Sequence, residues 1–359
     1  MLPLTKTRPK VMIPVLNIPI LEHIIKAVRD AGIREFLLVT GYLEEQVKAR
    51  LGDGSQYGVS IEYVSQPTDP DAPYGTAAAV SLARDFVGNE PFFLTFGDIM
   101  TPKQNYRYLL EAYEADRDAC WLCVNSTRDV STGGAVFVED GMVVKIVEKP
   151  APGTVDTNFI NSGIFIMKPD IFEAIKGLEP SSRGEYELPS AVTRLIKDGV
   201  RFKAHQLVGY WSNLSSPAEV IWLNNLLMQK LAASFARISR EMGLRIARGE
   251  NFHGLVCVGE DTEISPQAEV VGPAIIGDNC HIGRARIGRY TCIGSNCRVA
   301  DGSTVVASAL FEQSSVEENA RVGFAILGSG VKVGRGAACL GTSESAAVVE
   351  DNGVVTSSG

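Results

Sequence analysis

A carboxylate that closes a short apolar strand is the first group in this sequence able to do chemistry. Pro91-Phe-Phe-Leu-Thr-Phe reads as a buried strand and runs straight into Gly97-Asp98. In sheets flanked by helices, ligands gather at the carboxyl ends of strands. An aspartate there suits a hard cation such as Mg2+, which takes oxygen ligands; a turn or helix-cap role is the plainer alternative. Near the start, Lys6, Arg8 and Lys10 precede an apolar run and the amphipathic pattern Ile20-Leu21, Ile24-Ile25, Val28. Gln66 can both donate and accept hydrogen bonds. Cys120 and Cys123 form a C-x-x-C, but on a strand residues three apart point to opposite faces, which argues against a shared metal or redox site. His205 and His253 have no partner at ligand spacing and read as structural or surface residues.

The elements that would position these groups alternate. Helical periodicity covers residues 20–31, 44–51 and 76–86, and short apolar or alternating strands lie at 36–40, 61–64 and 91–96. That rhythm predicts a mostly parallel sheet covered on both faces. Val136-Phe-Val-Glu and Met142-Val-Val-Lys-Ile-Val flank Asp140-Gly141, a hairpin signal. A helical pattern opens at Pro217 and runs to about Gly243. From about residue 255 apolar residues recur every six positions: Ile264, Val270, Ile276, Ile282, then Ile287, Ile293, Val299, Val305 and Phe311, with later slips of five. Glycine follows several of them. A six-residue period with a small residue after the apolar one predicts a hexapeptide-repeat β-helix of roughly four to five coils.

The 359 residues exceed one ordinary domain. A net charge of −8 argues against a nucleic-acid binder, though not against a phosphate substrate. Seven scattered cysteines fit reduced thiols and a cytoplasmic protein, and no run of 18 apolar residues suggests a membrane span.

Pro3-Leu-Thr-Lys-Thr-Arg-Pro-Lys-Val-Met-Ile-Pro-Val resembles the second half of the signature of the sugar-1-phosphate nucleotidylyltransferases. These enzymes join a nucleoside triphosphate to a sugar 1-phosphate and release pyrophosphate. Other stretches resemble the family in the right order: Gln66-Pro67, Tyr74-Gly75-Thr76-Ala77, Phe96-Gly97-Asp98, Glu148-Lys149-Pro150, Asn161-Ser162-Gly163, Arg183-Gly-Glu185-Tyr186-Glu187-Leu and Trp211-Ser-Asn213. The resemblance implies that Lys10 lies against the reacting phosphates and that Gln66, Gly75 and Thr76 meet the nucleotide base. It implies that Glu148, Asn161, Gly163 and Glu185 meet the sugar, Lys149 the sugar phosphate, and Asp98 with Asn213 a Mg2+ ion. Most relatives carry Asp where Asn213 stands; an amide oxygen still coordinates Mg2+, with one charge fewer. Gln-Pro rather than Glu-Pro or Asp-Pro after the third strand points to a pyrimidine nucleotide.

In that family a first β-strand and a G-x-G-x-R turn precede this stretch, and Met1-Leu-Pro-Leu-Thr aligns just after the arginine. The expectation is that Met1 is an internal methionine, that an in-frame A-A-G-x-G-x-R lies upstream, and that the sheet has a gap at its centre. The resulting reading is an α/β chain: a Rossmann-like, mostly parallel mixed-sheet nucleotidyltransferase domain at 1–216, a linker helix at 217–250, a left-handed parallel β-helix at 251–342 and a frayed tail at 343–359. Its substrates would be dTTP or UTP and a hexose 1-phosphate, its cofactor Mg2+, and its assembly a homo-oligomer through the β-helix. Two alternatives remain. One is a non-catalytic nucleotide-sugar-binding paralogue. The other is a bifunctional nucleotidylyl/acetyltransferase, for which His281 is the only histidine inside the repeats.

Overall fold

The structure, a computed structural model, describes residues 1–67, 69, 72–231 and 244–357. Cα packing divides the chain into two units, one of Leu21–Asn213 and one of Met1–Ile20 with Leu214–Gly359. The N-terminal segment therefore belongs with the β-helix, unlike the expected boundary at 216. The order begins with β1 (Pro14–Val15), β2 (Ile18–Pro19), α1 (Ile20–Asp30), β3 (Glu35–Thr40), α2 (Glu44–Leu51), β4 (Ser60–Ser65), α3 (Thr76–Ser81), α4 (Arg84–Val87), β5 (Phe92–Thr95) and α5 (Gln104–Ala115). It continues with β6 (Cys120–Ser126), β7 (Gly134–Glu139), β8 (Met142–Glu148), β9 (Phe159–Met167), α6 (Asp170–Lys176), α7 (Leu188–Lys197), β10 (Phe202–Gln206) and α8 (Pro217–Leu231). The expected extension of α8 towards Gly243 lies outside the described residues. No helix among the described residues is long and apolar enough to cross a membrane.

In the unit of Leu21–Asn213, six strands pair in the order β5-β9-β6-β10-β8-β7, and β3 with β4 makes a separate two-stranded sheet. Among the described residues of this unit only β3–β4 and β6–β10 are parallel. β9 runs antiparallel to β5, β6 and β7, and β8 antiparallel to β7 and β10. The sheet is mixed as expected, but its pairings are mostly antiparallel. The reason is β9, which inserts between β5 and β6 and reverses both ladders. β3 and β5 each pair on one side only among the described residues, and their apolar side chains are half-buried. The β7–β8 hairpin turns through Asp140 and Gly141, both with left-handed φ. Beneath the sheet, α3, α6 and α7 supply Ala77, Val80, Ile171, Phe172, Ala191, Val192 and Leu195 to one core with Leu122, Val136 and Phe165.

In the other unit, three parallel ladders of six strands each build about six coils, more than the four to five expected. Ile276 stacks on Ile293, Leu310 and Leu327; Val270 on Ile287, Val305 and Val322; Ile282 on Val299, Val316 and Val333. These residues fill the axis, fully buried. Leu310 rather than the expected Phe311 takes the inward slot, because the step from Val305 is five. The coil also continues past Thr342: Ala347–Val349 and Val354–Val355 pair in parallel with the coil before them, so this stretch is no frayed tail. Val349 lies 22 residues beyond its partner Leu327, whereas Leu327 lies 17 beyond Leu310, and that insertion hides the repeat. Thr262, Cys280, Cys297 and Ser314 line one corner, donating to the carbonyls of Gly277, Gly294, Phe311 and Gly328 at 2.7, 3.1, 3.2 and 2.8 Å. All seven cysteines are buried, and none forms a disulfide.

The opposite side of one ladder carries Cys257, Ile275, Cys292 and Ile326, also buried, and α8 and the N-terminal segment pack there. The β1–β2 hairpin turns through Leu16 and Asn17, both left-handed. Such a turn favours Asn-Gly over leucine. Here tertiary bonds hold it: Leu16 N donates to Asn224 Oδ1 at 2.8 Å and Asn17 Nδ2 to the Ile293 carbonyl at 2.7 Å. Further along, Arg8 Nη2 donates to both carboxylate oxygens of Asp351 at 2.8 Å and to Ser329 Oγ at 2.9 Å, and its guanidinium lies 4.8 Å above the Phe311 ring. Thr7 Oγ1 donates to Asp351 as well, and Lys6 pairs with Glu350. Burial would raise the Asp351 carboxyl, but Thr7 and Arg8 outweigh it and hold it below the usual range.

Candidate active site

Asp98 follows β5 at a crossing of three segments. Phe96 N donates to the Gly163 carbonyl at 2.9 Å, tying the end of β5 to β9. Gly163 has φ +76°, and a Cβ there would lie 2.7 Å from the Phe96 ring, so both backbone conformation and space demand glycine. Asn161 Oδ1 accepts from Gly163 N at 2.9 Å, so its oxygen braces its own strand. Met100 and Ser212 exchange backbone hydrogen bonds of 2.8 and 3.0 Å, which sets the Asp98 and Asn213 loops side by side. Trp211 Nε1 donates to the Ser162 carbonyl at 3.0 Å and fixes that loop to β9. Ser162 Oγ is a buried hydroxyl with no hydrogen-bond partner.

Asp98 carries a carboxylate and Asn213 an amide oxygen, both hard donors. Among the described residues no cluster of three or more His, Cys, Asp or Glu side chains forms a closed metal cage. Two protein oxygens with the remaining positions left to water and phosphate are what Mg2+ takes in phosphoryl-transfer sites. The oxygen chemistry of Asp98 and Asn213 is of the kind that could hold that ion.

A second cluster lies at the end of β8. Arg183 Nη2 stands 2.8 Å from Glu187 Oε1, 3.8 Å from Glu185 Oε2 and 3.9 Å from Glu148 Oε1. Glu148 also borders Gly134, whose Cβ, were there one, would lie 3.1 Å from Glu148 Oε2 and 3.3 Å from Asn161 Cβ. Burial pushes the Glu148 carboxyl up, and the charges of Glu187 and Glu185 add to that. Lys149 and Arg183 pull the other way, and the net shift is upward. A raised carboxyl binds its proton more tightly in the folded chain than in the unfolded one. Its contribution to stability is therefore complete below the ordinary value of about 4.3 and is lost as pH rises through the raised one. We expect Glu148→Gln to abolish that fall: melting temperature scans from pH 4 to 7 should run flatter than wild type. Parallel curves for the two chains would contradict the assignment. Lys149 holds a left-handed φ of +41°, its N donates to the Gly133 carbonyl at 2.9 Å, and its side chain is exposed.

The segments expected to meet nucleotide and sugar are zipped together. Tyr186 N donates to the Tyr74 carbonyl and Ala77 N to the Tyr186 carbonyl, both at 2.8 Å, and Leu188 N donates to Thr76 Oγ1 at 3.0 Å. Gly75 occupies the N-cap of α3, and the Thr76 hydroxyl faces Leu188. Gln66 N donates to the Thr40 carbonyl at 2.7 Å, and its Nε2 reaches the Gly75 carbonyl at 3.5 Å.

Gln66, Gly75, Thr76, Asp98, Glu148, Lys149, Asn161, Gly163, Glu185 and Asn213 all lie in the unit of Leu21–Asn213. Lys10 does not. It opens a 3-10 turn, Lys10–Met12, in the unit of the β-helix. Sequence reasoning passed over Arg183 and Glu187 although both stand in the quoted Arg-Gly-Glu-Tyr-Glu run. The alternation of charge there was the available signal. On the β-helix, His281 Nδ1 sits 3.3 Å from Glu263 Oε2 and both side chains are exposed.

Residues 1–229 match the family model described as "Nucleotidyl transferase", and residues 270–358 match that of the "GMPPB C-terminal domain". The chain is 30% identical to the low-salt glycan biosynthesis nucleotidyltransferase Agl11 of Haloferax volcanii, over 92% of this chain and 90% of that one. It is 29% identical to a glucose-1-phosphate thymidylyltransferase of Streptomyces antibioticus, over 92% and 89%. A crystal structure assigned as a glucose-1-phosphate thymidylyltransferase from Bacillus anthracis, in complex with sucrose, superposes with a TM-score of 0.56 at 26% identity, covering 63% of this chain and 89% of that one. By its sequence over both units and by its fold, this chain belongs to the nucleotidyl transferase family and is a nucleotidyltransferase with a parallel β-helix at its C-terminal end.

Proposed function

We propose that the chain joins a pyrimidine nucleoside triphosphate, dTTP or UTP, to a hexose 1-phosphate and releases pyrophosphate. The observation that carries this is the zipped pair 74–77 and 186–188. It joins Gln66, whose amide could pair with a base edge, and the Glu148–Arg183–Glu185 cluster to one continuous framework. The thymidylyltransferase relative supports the choice of base and sugar.

An oxygen of the sugar phosphate attacks the α-phosphorus in line; that P–O bond forms as the bond to the β-phosphate oxygen breaks. The nucleophile is already an anion, so no general base is needed, and the protein's work is positioning and charge neutralisation. Gln66 pairs with the base edge. Glu148 and Glu185 accept hydrogen bonds from sugar hydroxyls, and Asn161 offers its amide beside them. Lys149 stands against phosphate oxygens. Asp98 and Asn213 would hold Mg2+, which supplies positive charge to the departing pyrophosphate.

The test is pyrophosphate release with Mg2+, using dTTP, UTP and GTP against glucose, N-acetylglucosamine and mannose 1-phosphates. Turnover with dTTP or UTP and one sugar is expected. No turnover with any pair, but retained binding of a nucleotide sugar, would make the chain a binding protein rather than a catalyst; a preference for GTP would overturn the pyrimidine assignment.

A further inference from the structure

Asp98 and Asn213 are 115 residues apart in sequence, on loops with no regular secondary structure between the bridge and the site. What fixes their spacing is therefore a real question. On the framework proposed above, we infer that Asn105 is the positioning residue that does so, acting on both loops at once.

Asn105 sits in the first turn of α5 and is completely buried. Its Nδ2 donates to Thr101 Oγ1 at 2.7 Å and to the Val208 carbonyl at 3.0 Å, and its Oδ1 accepts from Val208 N at 3.0 Å. The reciprocal pair with Val208 permits only this orientation of the amide, since one end must donate and the other accept. The Thr101 hydroxyl, having accepted from Asn105, donates in turn to the Tyr210 carbonyl at 3.0 Å. Asn105 thus clasps the backbone at 208 directly and at 210 through Thr101, from the helix that follows Asp98. The Met100–Ser212 bridge lies just beyond the clasp, and Asp98 and Asn213 are the next polar residues out. The chain of contacts runs Asn105, Thr101, Tyr210, bridge, donor pair. Every polar group of the clasp is satisfied, so it has one stable arrangement. No apolar residue could replace it without leaving Val208 N–H and C=O, both directed inward, without partners.

Groups that orient a metal's ligands typically change its affinity by ten- to a hundredfold when removed. The experiment uses the full chain and Mn2+ alone, an oxygen-loving ion visible by electron paramagnetic resonance. Four variants are titrated well below their melting temperatures: Asn105→Ala, the near-isosteric Thr101→Val, Asp98→Ala, and Leu109→Ala. Leu109 is a buried core residue on the same helix that touches neither loop by any polar group, and its truncation destabilises at least as much. We expect Asn105→Ala and Thr101→Val to weaken Mn2+ binding about tenfold, with Leu109→Ala at wild-type affinity. Loss in Asp98→Ala but wild-type affinity in both clasp variants would overturn the inference and leave the metal assignment standing. Equal weakening in Leu109→Ala would reduce Asn105 to a structural residue. Wild-type affinity in Asp98→Ala would remove the metal assignment itself, and the inference with it.

Discussion

Asp98→Ala should lower the rate of pyrophosphate release by about a thousandfold, the scale on which a fixed charge at a phosphoryl-transfer site acts. Its loss of turnover should far exceed any loss of stability. The aspartate is half-buried at a strand end, and backbone bonds help to order its loop: Phe96 to Gly163 and the Met100–Ser212 pair. The measurement is steady-state turnover across a Mg2+ titration, with thermal melts on the same samples. Activity lost only in proportion to melting temperature would make Asp98 a turn residue and nothing more.

Gly75→Ala should be the most damaging single methyl group in the site. The backbone there has φ +121°, and a Cβ would fall 2.5 Å from the Tyr186 carbonyl oxygen and 2.8 Å from its nitrogen. Backbone, unlike the end of a flexible side chain, cannot step aside. The substitution combines strained φ with an impossible contact, together about 3 kcal/mol. It would be relieved only by parting the two segments that pair Tyr186 with Tyr74 and Ala77. A unit of this size should then melt roughly 10 °C lower, and the Michaelis constants for nucleotide and sugar phosphate should rise together, because one zip serves both. A rise for one substrate alone would show that the segments do not act as a unit. The same fully occupied contact gives Gly75 a purpose that the family resemblance, with its emphasis on the base, does not supply.

Features with a local cause were legible. The apolar run before Asp98, the Asp140-Gly141 turn and the six-residue step through Ile276, Ile282 and Ile287 each express a period or a turn that a few residues determine. Features set by distant partners were not. Alternating helices and strands from 20 to 98 suggest parallel pairing, yet β9 comes from residues 159–167 and runs antiparallel to β5 and β6. Arg183 meets Glu148 across 35 positions, so neither triplet reveals the cluster. Lys10 is plain in the sequence as part of a motif, but its unit depends on Arg8, Leu16 and Asn17 finding partners at 351, 224 and 293. Phe311 fits the six-residue step, and only the stacking of Leu310 on Ile293 shows which of the two faces inward.

Residues 6 to 8 leave the ribosome more than 340 residues ahead of Glu350 and Asp351, with which they pair. At roughly 5–20 residues per second, that is a wait of some tens of seconds. Leu4, Ile13 and Val15 are apolar and fully buried in the finished chain. The stretch that carries Lys10 is thus made early and finished late: Leu16 and Asn17 find their partners at 224 and 293, and Lys6 to Arg8 find theirs only with the last coil.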